Sequence, residues 1–344
     1  MGWLPVYVVL VVSLAACTSS VHPTRSASRS PHRSTMATGS SAEPTKSPIV
    51  DPNNPVTAGF WPLSVAFWND RKGLLAGRVY DCQGCSHSTG AVALTHDGGV
   101  TWRVVTEGWS LIDDVGVVSP HMAWATAGYR HTQLIRSTDG GRTWTPWPGS
   151  EGLSNAAFWA PAAGLAASHH GARLVRWDDV RWSGVRDPCP GETVGLSFPE
   201  GGNGRGWLAC SWEAGAGQEP KGVYATPDGG ANWDPTTLVR PDEPKMSLGS
   251  GLSSYGYLAG IAFASNGLGW LIESRGTFYS TTDGGNSWVD HQKFQEPEVA
   301  FGTSAWRVDE DLGFVLMDRR EMVLERSADG GRTWTRLARF SQPA

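Results

Sequence analysis

Residues 137–144 read "STDGGRTW", and the same frame returns as "THDGGVTW" (95–102), "TPDGGANW" (226–233), "TTDGGNSW" (281–288) and "SADGGRTW" (327–334). An aspartate followed by two glycines is turn chemistry. The carboxylate accepts bonds from backbone N–H groups just beyond it, as in an Asx-turn. The glycines adopt φ > 0 without the clash of a Cβ. The flanking Ser and Thr hydroxyls satisfy further turn groups, and the indole is large enough to cover the hairpin and wedge it against its neighbours. All of these roles are architectural. Asp97, Asp139, Asp228, Asp283 and Asp329, with Trp102, Trp144, Trp233, Trp288 and Trp334, therefore read as a repeated folding device and not as a catalytic signature.

Trp182, in "LVRWDDVRW", fits a sixth copy that has lost its glycines, and the gaps from Trp102 through Trp144, Trp182, Trp233 and Trp288 to Trp334 are then 42, 38, 51, 55 and 46 residues. That period is the length of one four-stranded propeller blade. Inside each unit a first apolar strand ("VAFWND" at 65–70, "GIAFAS" at 260–265) precedes a glycine-led second ("GLLAG" at 73–77, "GWLIES" at 269–274). A third strand leads into the DGG turn, and a fourth is expected to begin at the tryptophan. Short strands with turn signals at this spacing make antiparallel sheets. The chain is therefore read as all-β, a propeller of six four-stranded blades over 57–344. A seventh would have to come from 236–260.

The pattern S/T-x-D-x-G-x-T-W resembles the Asp-box, or bacterial neuraminidase repeat, family. The resemblance covers nearly everything from residue 57 onward and implies a propeller. It leaves function open, because the repeat occurs in sialidases, other glycoside hydrolases, sorting-receptor ectodomains and photosystem II assembly factors. The layout is closer to the photosystem assembly propellers, which implies a chaperone-like binding role.

The first 56 residues are different material. Residues 3–16, "WLPVYVVLVVSLAA", are apolar but short for a membrane span and end at Cys17. Leu14-Ala15-Ala16-Cys17 resembles the lipobox of bacterial lipoproteins, although no Lys or Arg precedes the apolar run. The resemblance implies cleavage before Cys17 and a lipid on the cysteine, placing the protein on the outer face of the cytoplasmic membrane. A simple secretory signal is the alternative. More than half of residues 18–56 are Ser, Thr or Pro, a composition that buries no core and reads as a disordered tether.

Four cysteines remain for an exported chain, which favours two disulfides among three possible pairings. Cys82 and Cys85 in "DCQGC" form a local loop, and Cys189 and Cys210 fall at the same end of one unit, so Cys82–Cys85 and Cys189–Cys210 are expected. A zinc site is the competing reading, but exported context and uneven spacing argue against it. No phosphate-binding glycine loop, G-x-S-x-G elbow or H-E-x-x-H is present. No cofactor and no metal are expected. His169-His170 reads as a loop feature and Arg319-Arg320 as a hairpin tip. A net charge of −5 lacks the basic excess of a nucleic-acid binder. A monomer is expected.

Strand direction sorts the loops onto two faces, with the DGG turns on one. Turns between second and third strands, and connectors between units, fall on the opposite face. The loops there are variable and polar, where binding on a repeated scaffold usually resides. Arg130, His131, Trp212, Glu213, Glu273, Arg275 and Arg319 are its candidate ligand-binding residues for a protein or glycan partner of the envelope, with none assigned as catalytic. The competing reading is a sialidase-like hydrolase. The family resemblance implies an arginine cluster, a Tyr/Glu pair and an acidic Asp, which Arg78, Arg130, Arg275 and Arg319 with Glu213 and Glu273 imitate in part. Against it, "GFWP" (59–62) stands where an Arg-Ile-Pro element is expected, and the last unit has no tyrosine.

Overall fold

Each repeat closes on itself as an antiparallel sheet. The computed structural model describes residues 50–51, 54–57, 59–80, 87–168, 173–242, 244–274, 277–291, 301–318 and 321–341. Cys17, the apolar leader, tether residues 18–49, Cys82, Cys85 and His169-His170 lie outside the described residues. Two short strands come first, β1 (Val50–Asp51) and β2 (Asn54–Thr57). Blade one is β3 (Phe60–Phe67), β4 (Gly73–Tyr80), β5 (Ser88–Thr95) and β6 (Arg103–Trp109). Blade two is β7 (Ile112–Val117), β8 (Ala123–Ala127), β9 (Gln133–Ser137) and β10 (Thr145–Pro146). Blade three is β11 (Leu153–Ala160), β12 (Ala163–Ser168), β13 (Leu174–Trp177) and β14 (Trp182–Gly184). Blade four is β15 (Glu192–Ser197), β16 (Gly206–Ser211), β17 (Lys221–Thr226) and β18 (Asp234–Val239). Blade five is β19 (Leu258–Phe263), β20 (Gly269–Glu273), β21 (Phe278–Thr281) and β22 (Val289–Asp290). Blade six is β23 (Phe301–Arg307), β24 (Leu312–Asp318), β25 (Met322–Ala328) and β26 (Thr335–Phe340).

Every blade is a simple meander. First strands of successive blades touch all the way round and β23 meets β3, so six first strands enclose a central channel. The ring closes by side-chain packing between blades six and one. Phe67 stacks on Phe314 with centroids 3.6 Å apart, and the Trp306 indole donates to the Phe67 carbonyl at 2.9 Å. β2 adds in parallel to the outer edge of blade six, pairing Val56 with Arg339. No seventh blade forms among the described residues. The segment after β18 carries a 3-10 turn (Pro244–Met246) and bridges Leu238 to Leu248 and Ser250 to Ser287.

The glycine-led second strand has a steric cause. A Cβ on Gly206 would overlap the Phe198 ring, and one on Gly269 the Phe263 ring. Each phenylalanine ends its blade's first strand or follows it, and lies across that glycine. Phe263 then stacks on Trp207 of the preceding blade at 4.1 Å. Glycine therefore allows the aromatic layer that joins blades.

The DGG turn does what its residues predict. Asp139 Oδ1 accepts from the Thr143 N–H (2.9 Å), the Arg142 N–H (3.0 Å) and the Ser137 hydroxyl (2.8 Å), and Oδ2 accepts from the Thr143 hydroxyl at 2.7 Å. Ser137 Oγ in turn accepts from the Gly141 N–H at 2.8 Å. Burial works against the charge, but these bonds hold the Asp139 carboxyl down at about 2. The Gly140 N–H donates to the His121 carbonyl in the β7–β8 turn, which puts both turns on one face. Gly141 has φ +88°, and a Cβ there would sit 3.1 Å from Leu74 of blade one. Each box thus fastens its blade to the one before. The tryptophan itself is not strand: the fourth strands begin one residue later, at Arg103, Thr145, Asp234, Val289 and Thr335. Trp102 and Trp288 are buried, whereas Trp144, Trp233 and Trp334 are half-buried. Blade three keeps the aspartate and the tryptophan of the motif without its glycines: Asp178 accepts from the Arg181 N–H at 2.9 Å, and Trp182 lies edge-on to Phe158 at 6.1 Å as Trp102 does to Phe67. Trp147, which follows β10 of blade two, is fully buried against Phe158 and Trp177 of blade three.

Replacing Asp139 with alanine removes four accepted bonds at an exposed turn, and the expected loss is about 1–2 kcal/mol. Urea unfolding at neutral pH measures it, and the folded variant should keep any partner binding.

Candidate functional site

The residues singled out on the face opposite the boxes separate into three groups. Arg130 and His131 are exposed in the turn between β8 and β9. Trp212 and Glu213 follow β16 and come together in one pocket. Arg275 and Arg319 lie outside the described residues, as does Arg320.

Glu273 is a correction. It ends β20, where the loop begins, but its side chain is wholly buried and paired with the equally buried Lys221 of β17. The Lys221 ammonium also donates to the Gly256 carbonyl at 3.0 Å. Burial pushes the Glu273 carboxyl up, against the pull of the Lys221 charge. The pair ties blade four to blade five and presents nothing to a ligand.

The Trp212 pocket is a depression of about 810 Å³ built from three segments: the connector at 190–192, the loop at 211–220 and the residues after β18 at 240–242. The tryptophan is set by its neighbours. A Cβ on Gly191 would overlap the Ser211 carbonyl and lie 2.5 Å from the Trp212 Cβ. The Arg240 guanidinium lies over the indole, 5.4 Å from its centroid. Glu213 has φ +48°, a conformation that costs a non-glycine residue energy and is held by the loop around it. The Glu219 N–H donates to the Ser254 carbonyl at 2.9 Å, and the Gly256 N–H to the Gly217 carbonyl at 3.1 Å. Glu219, 5% exposed, accepts from the Leu258 N–H at 2.6 Å. Burial raises its carboxyl, opposed by the Leu258 N–H and the Lys221 charge.

Cys189 and Cys210, next in sequence to the lining residues Pro190 and Ser211, are bonded, with Cα atoms 5.7 Å apart and a sequence separation of 21. Cys210→Ser is expected to cost about 3 kcal/mol through the freed loop, read as a lower Tm that reductant does not lower further.

Glu192, Glu219, Arg240 and Asp242 also line the pocket and were not among the sequence candidates. Three of them sit in or beside connectors between blades or at the edge of a strand. The pairing of β15 to β18 within blade four, with Glu192 opposite Ser211 and Val239 opposite Lys221, brings those segments beside Trp212.

The central channel is the second cavity, about 360 Å³. All six first strands bulge at the same level, at Pro62/Ser64, Ile112/Asp114, Ser154/Ala156, Thr193/Gly195, Leu258/Gly260 and Gly302/Ser304. The bulge re-aims side chains, and the consecutive residues Asp113 and Asp114 both line the cavity. The Ser64 hydroxyl donates to Asp114 Oδ1 at 2.9 Å and sits 3.3 Å from the Ser304 hydroxyl. Burial, with the Asp113 charge adding to it and the Ser64 hydroxyl opposing, pushes the Asp114 carboxyl up to about 7. No group of three or more His, Cys, Asp or Glu among the described residues is placed to hold a metal ion.

A family model described as photosynthesis system II assembly factor YCF48 matches residues 250–342, and a BNR/Asp-box repeat model matches residues 135–146. No curated protein matches the chain. Among solved structures the chain is similar to YCF48 bound to a D1 peptide, at 16% identity and TM-score 0.48 over 80% of this chain and 95% of that one. It is also similar to YCF48 from Cyanidioschyzon merolae, at 16% identity and TM-score 0.46 over 84% and 87%. The GH93 α-L-arabinofuranosidase of Fusarium graminearum gives 14% identity and TM-score 0.50 over 77% and 90%. At such identities the likeness is one of fold.

Proposed function

We propose that this six-bladed Asp-box propeller is a binding scaffold for a polypeptide partner, engaged through the face opposite the boxes and not turned over. Its tether and a lipid on Cys17 hold it at the outer face of a bacterial cytoplasmic membrane. The observation that carries the reading is the Trp212 pocket. A half-buried tryptophan, an arginine over its ring and a stitched loop form a pre-set contact of the kind that dominates protein interfaces. The match of residues 250–342 to an assembly-factor family supports a protein partner over a glycan. Trp212 and Glu213 are its centre, and Arg130 and His131 extend it on blade two. Arg275 and Arg319 belong to turns expected on the same face. The hydrolase reading loses Glu273, whose carboxylate is sealed against Lys221.

The test is capture from native envelope with wild type and Trp212→Ala, beside a panel of fluorogenic glycosides. A partner lost in the variant at unchanged Tm, with no glycoside cleaved, supports the scaffold. Turnover of a glycoside by wild type overturns it. In the same cells, Cys17→Ala should move the protein from the membrane to the soluble fraction, and an unchanged distribution would count against the anchor.

A further inference from the structure

Where the Trp212 loop meets blade five, three ionisable side chains are enclosed and their charges do not balance. Lys221 and Glu273 are wholly buried, and Glu219 is 5% exposed. Lys221 pairs with Glu273 and its charge also acts on Glu219, so one ammonium faces two carboxylates. Among the described residues the groups packed around them bring no second cation. Tyr279 of β21 stands against Glu273, with the Asp290 charge of β22 acting on it in turn, while Glu192 of β15 acts on Glu219 and Ser211 of β16 offers it a hydroxyl. Burial, with the Glu273 and Asp290 charges adding to it, pushes the Tyr279 hydroxyl up and keeps it neutral. Arg240, the cation lining the pocket, is stacked over Trp212. With all three groups ionised, one negative charge would stand uncompensated in the interior. A single proton shared by the two carboxyls removes it. Burial accordingly pushes the Glu273 carboxyl from 4.5 up to about 7 and raises that of Glu219.

Glu219 is the member of the three that lines the pocket, and it also fastens the loop. Its Oε2 accepts from the Leu258 N–H at 2.6 Å, and its own N–H donates to the Ser254 carbonyl. The Gly217 N–H donates to the Tyr257 hydroxyl at 3.3 Å, and the Gly217 carbonyl accepts from the Gly256 N–H. Leu258 pairs with Glu273 across the β19–β20 ladder, and the Gly256 carbonyl accepts from Lys221. The stitches of the loop and the three charges therefore meet on one short segment, 254–258.

We infer that Glu219, Lys221 and Glu273 form a proton-held latch on the Trp212 loop. With one proton on the carboxyl pair the loop is fastened to blade five. When that proton passes to water, Glu219 turns out into the pocket, the Leu258 N–H loses its acceptor and the loop loosens. The fastened loop is the form that seats the partner, so binding weakens as pH rises. In the loosened form Glu219 is an ordinary solvated carboxyl. Below about pH 4.5 both forms are protonated and pH changes nothing. Between 4.5 and about 7 the fastened form alone keeps the proton, so its population falls with rising pH, by at most about tenfold per unit for one proton. Above that range the change is complete. The inference rests on the proposed use of this pocket by a polypeptide.

Hydrogen exchange of the full-length protein at about pH 5.5 and about pH 8, corrected for intrinsic exchange rates, tests it. Protection of residues 213–220 and 254–258 should be about tenfold or more lower at the higher pH. Glu219→Gln keeps an acceptor for the Leu258 N–H without the charge, and should hold the loop at the higher pH as wild type does at the lower. Glu273→Gln leaves one carboxylate for one ammonium and should do the same. Equal wild-type protection at both pH values, or a wild-type pH response in either variant, would overturn the inference. Exchange that does not switch, beside capture that depends on Trp212, would sink this inference alone. Exchange that switches, with no partner captured at either pH, would sink the proposed function instead.

Discussion

Lys221→Met should cost this propeller about 3–5 kcal/mol, because it leaves the Glu273 carboxylate buried without its counter-charge. Both side chains are fully enclosed, so no water replaces the lost ammonium, and the Gly256 carbonyl loses a donor as well. The double variant Lys221→Met/Glu273→Leu should recover most of the loss, since an apolar pair of similar volume avoids desolvating two charges. Denaturant unfolding of the four proteins of the cycle gives the coupling. If the single variant is as stable as wild type, the pair is not the lock between blades four and five.

Trp288→Ala should be of similar size, about 3–5 kcal/mol. Trp288 is 4% exposed and lies edge-on to Phe263 at 6.0 Å. Its indole N–H is within 3.2 Å of both the Gly285 carbonyl and the Thr237 hydroxyl of blade four. Removing it opens a cavity between blades that cannot collapse without moving a sheet. Trp144→Ala, at a half-buried box, should cost clearly less, and comparing the two melting temperatures checks that burial between blades sets the effect.

The blades were legible because the DGG turn states its geometry locally. Asp139, Ser137, Gly141 and Thr143 satisfy one another within seven residues. Gly73, Gly206 and Gly269 of the second strands each answer a phenylalanine a few residues earlier, whereas Gly313 answers Trp270 of the preceding blade. The Cys189–Cys210 bond followed from the order of strands within one blade. The site was less legible. Glu273 stands at a strand end where an exposed carboxylate is expected, and its burial depends on Lys221, 52 residues earlier in a different blade. Glu192, Arg240 and Asp242 carry no local motif at all. They meet Trp212 through the strand register of blade four, which sets Glu192 opposite Ser211 and the end of β18 opposite Lys221, distant from Glu192 in sequence. The bulge that brings Asp113 and Asp114 together into the channel is likewise a property of paired strands and not of a single segment.

The most direct measurement is site-specific photocrosslinking in native envelope, with the photoreactive residue at Glu213 on the pocket face or at Arg142 in an Asp-box turn. Both positions are exposed, so each can report a partner. The scaffold reading predicts one discrete protein adduct from Glu213 and none from Arg142. The same adduct from Arg142, with none from Glu213, would place binding on the box face and contradict it.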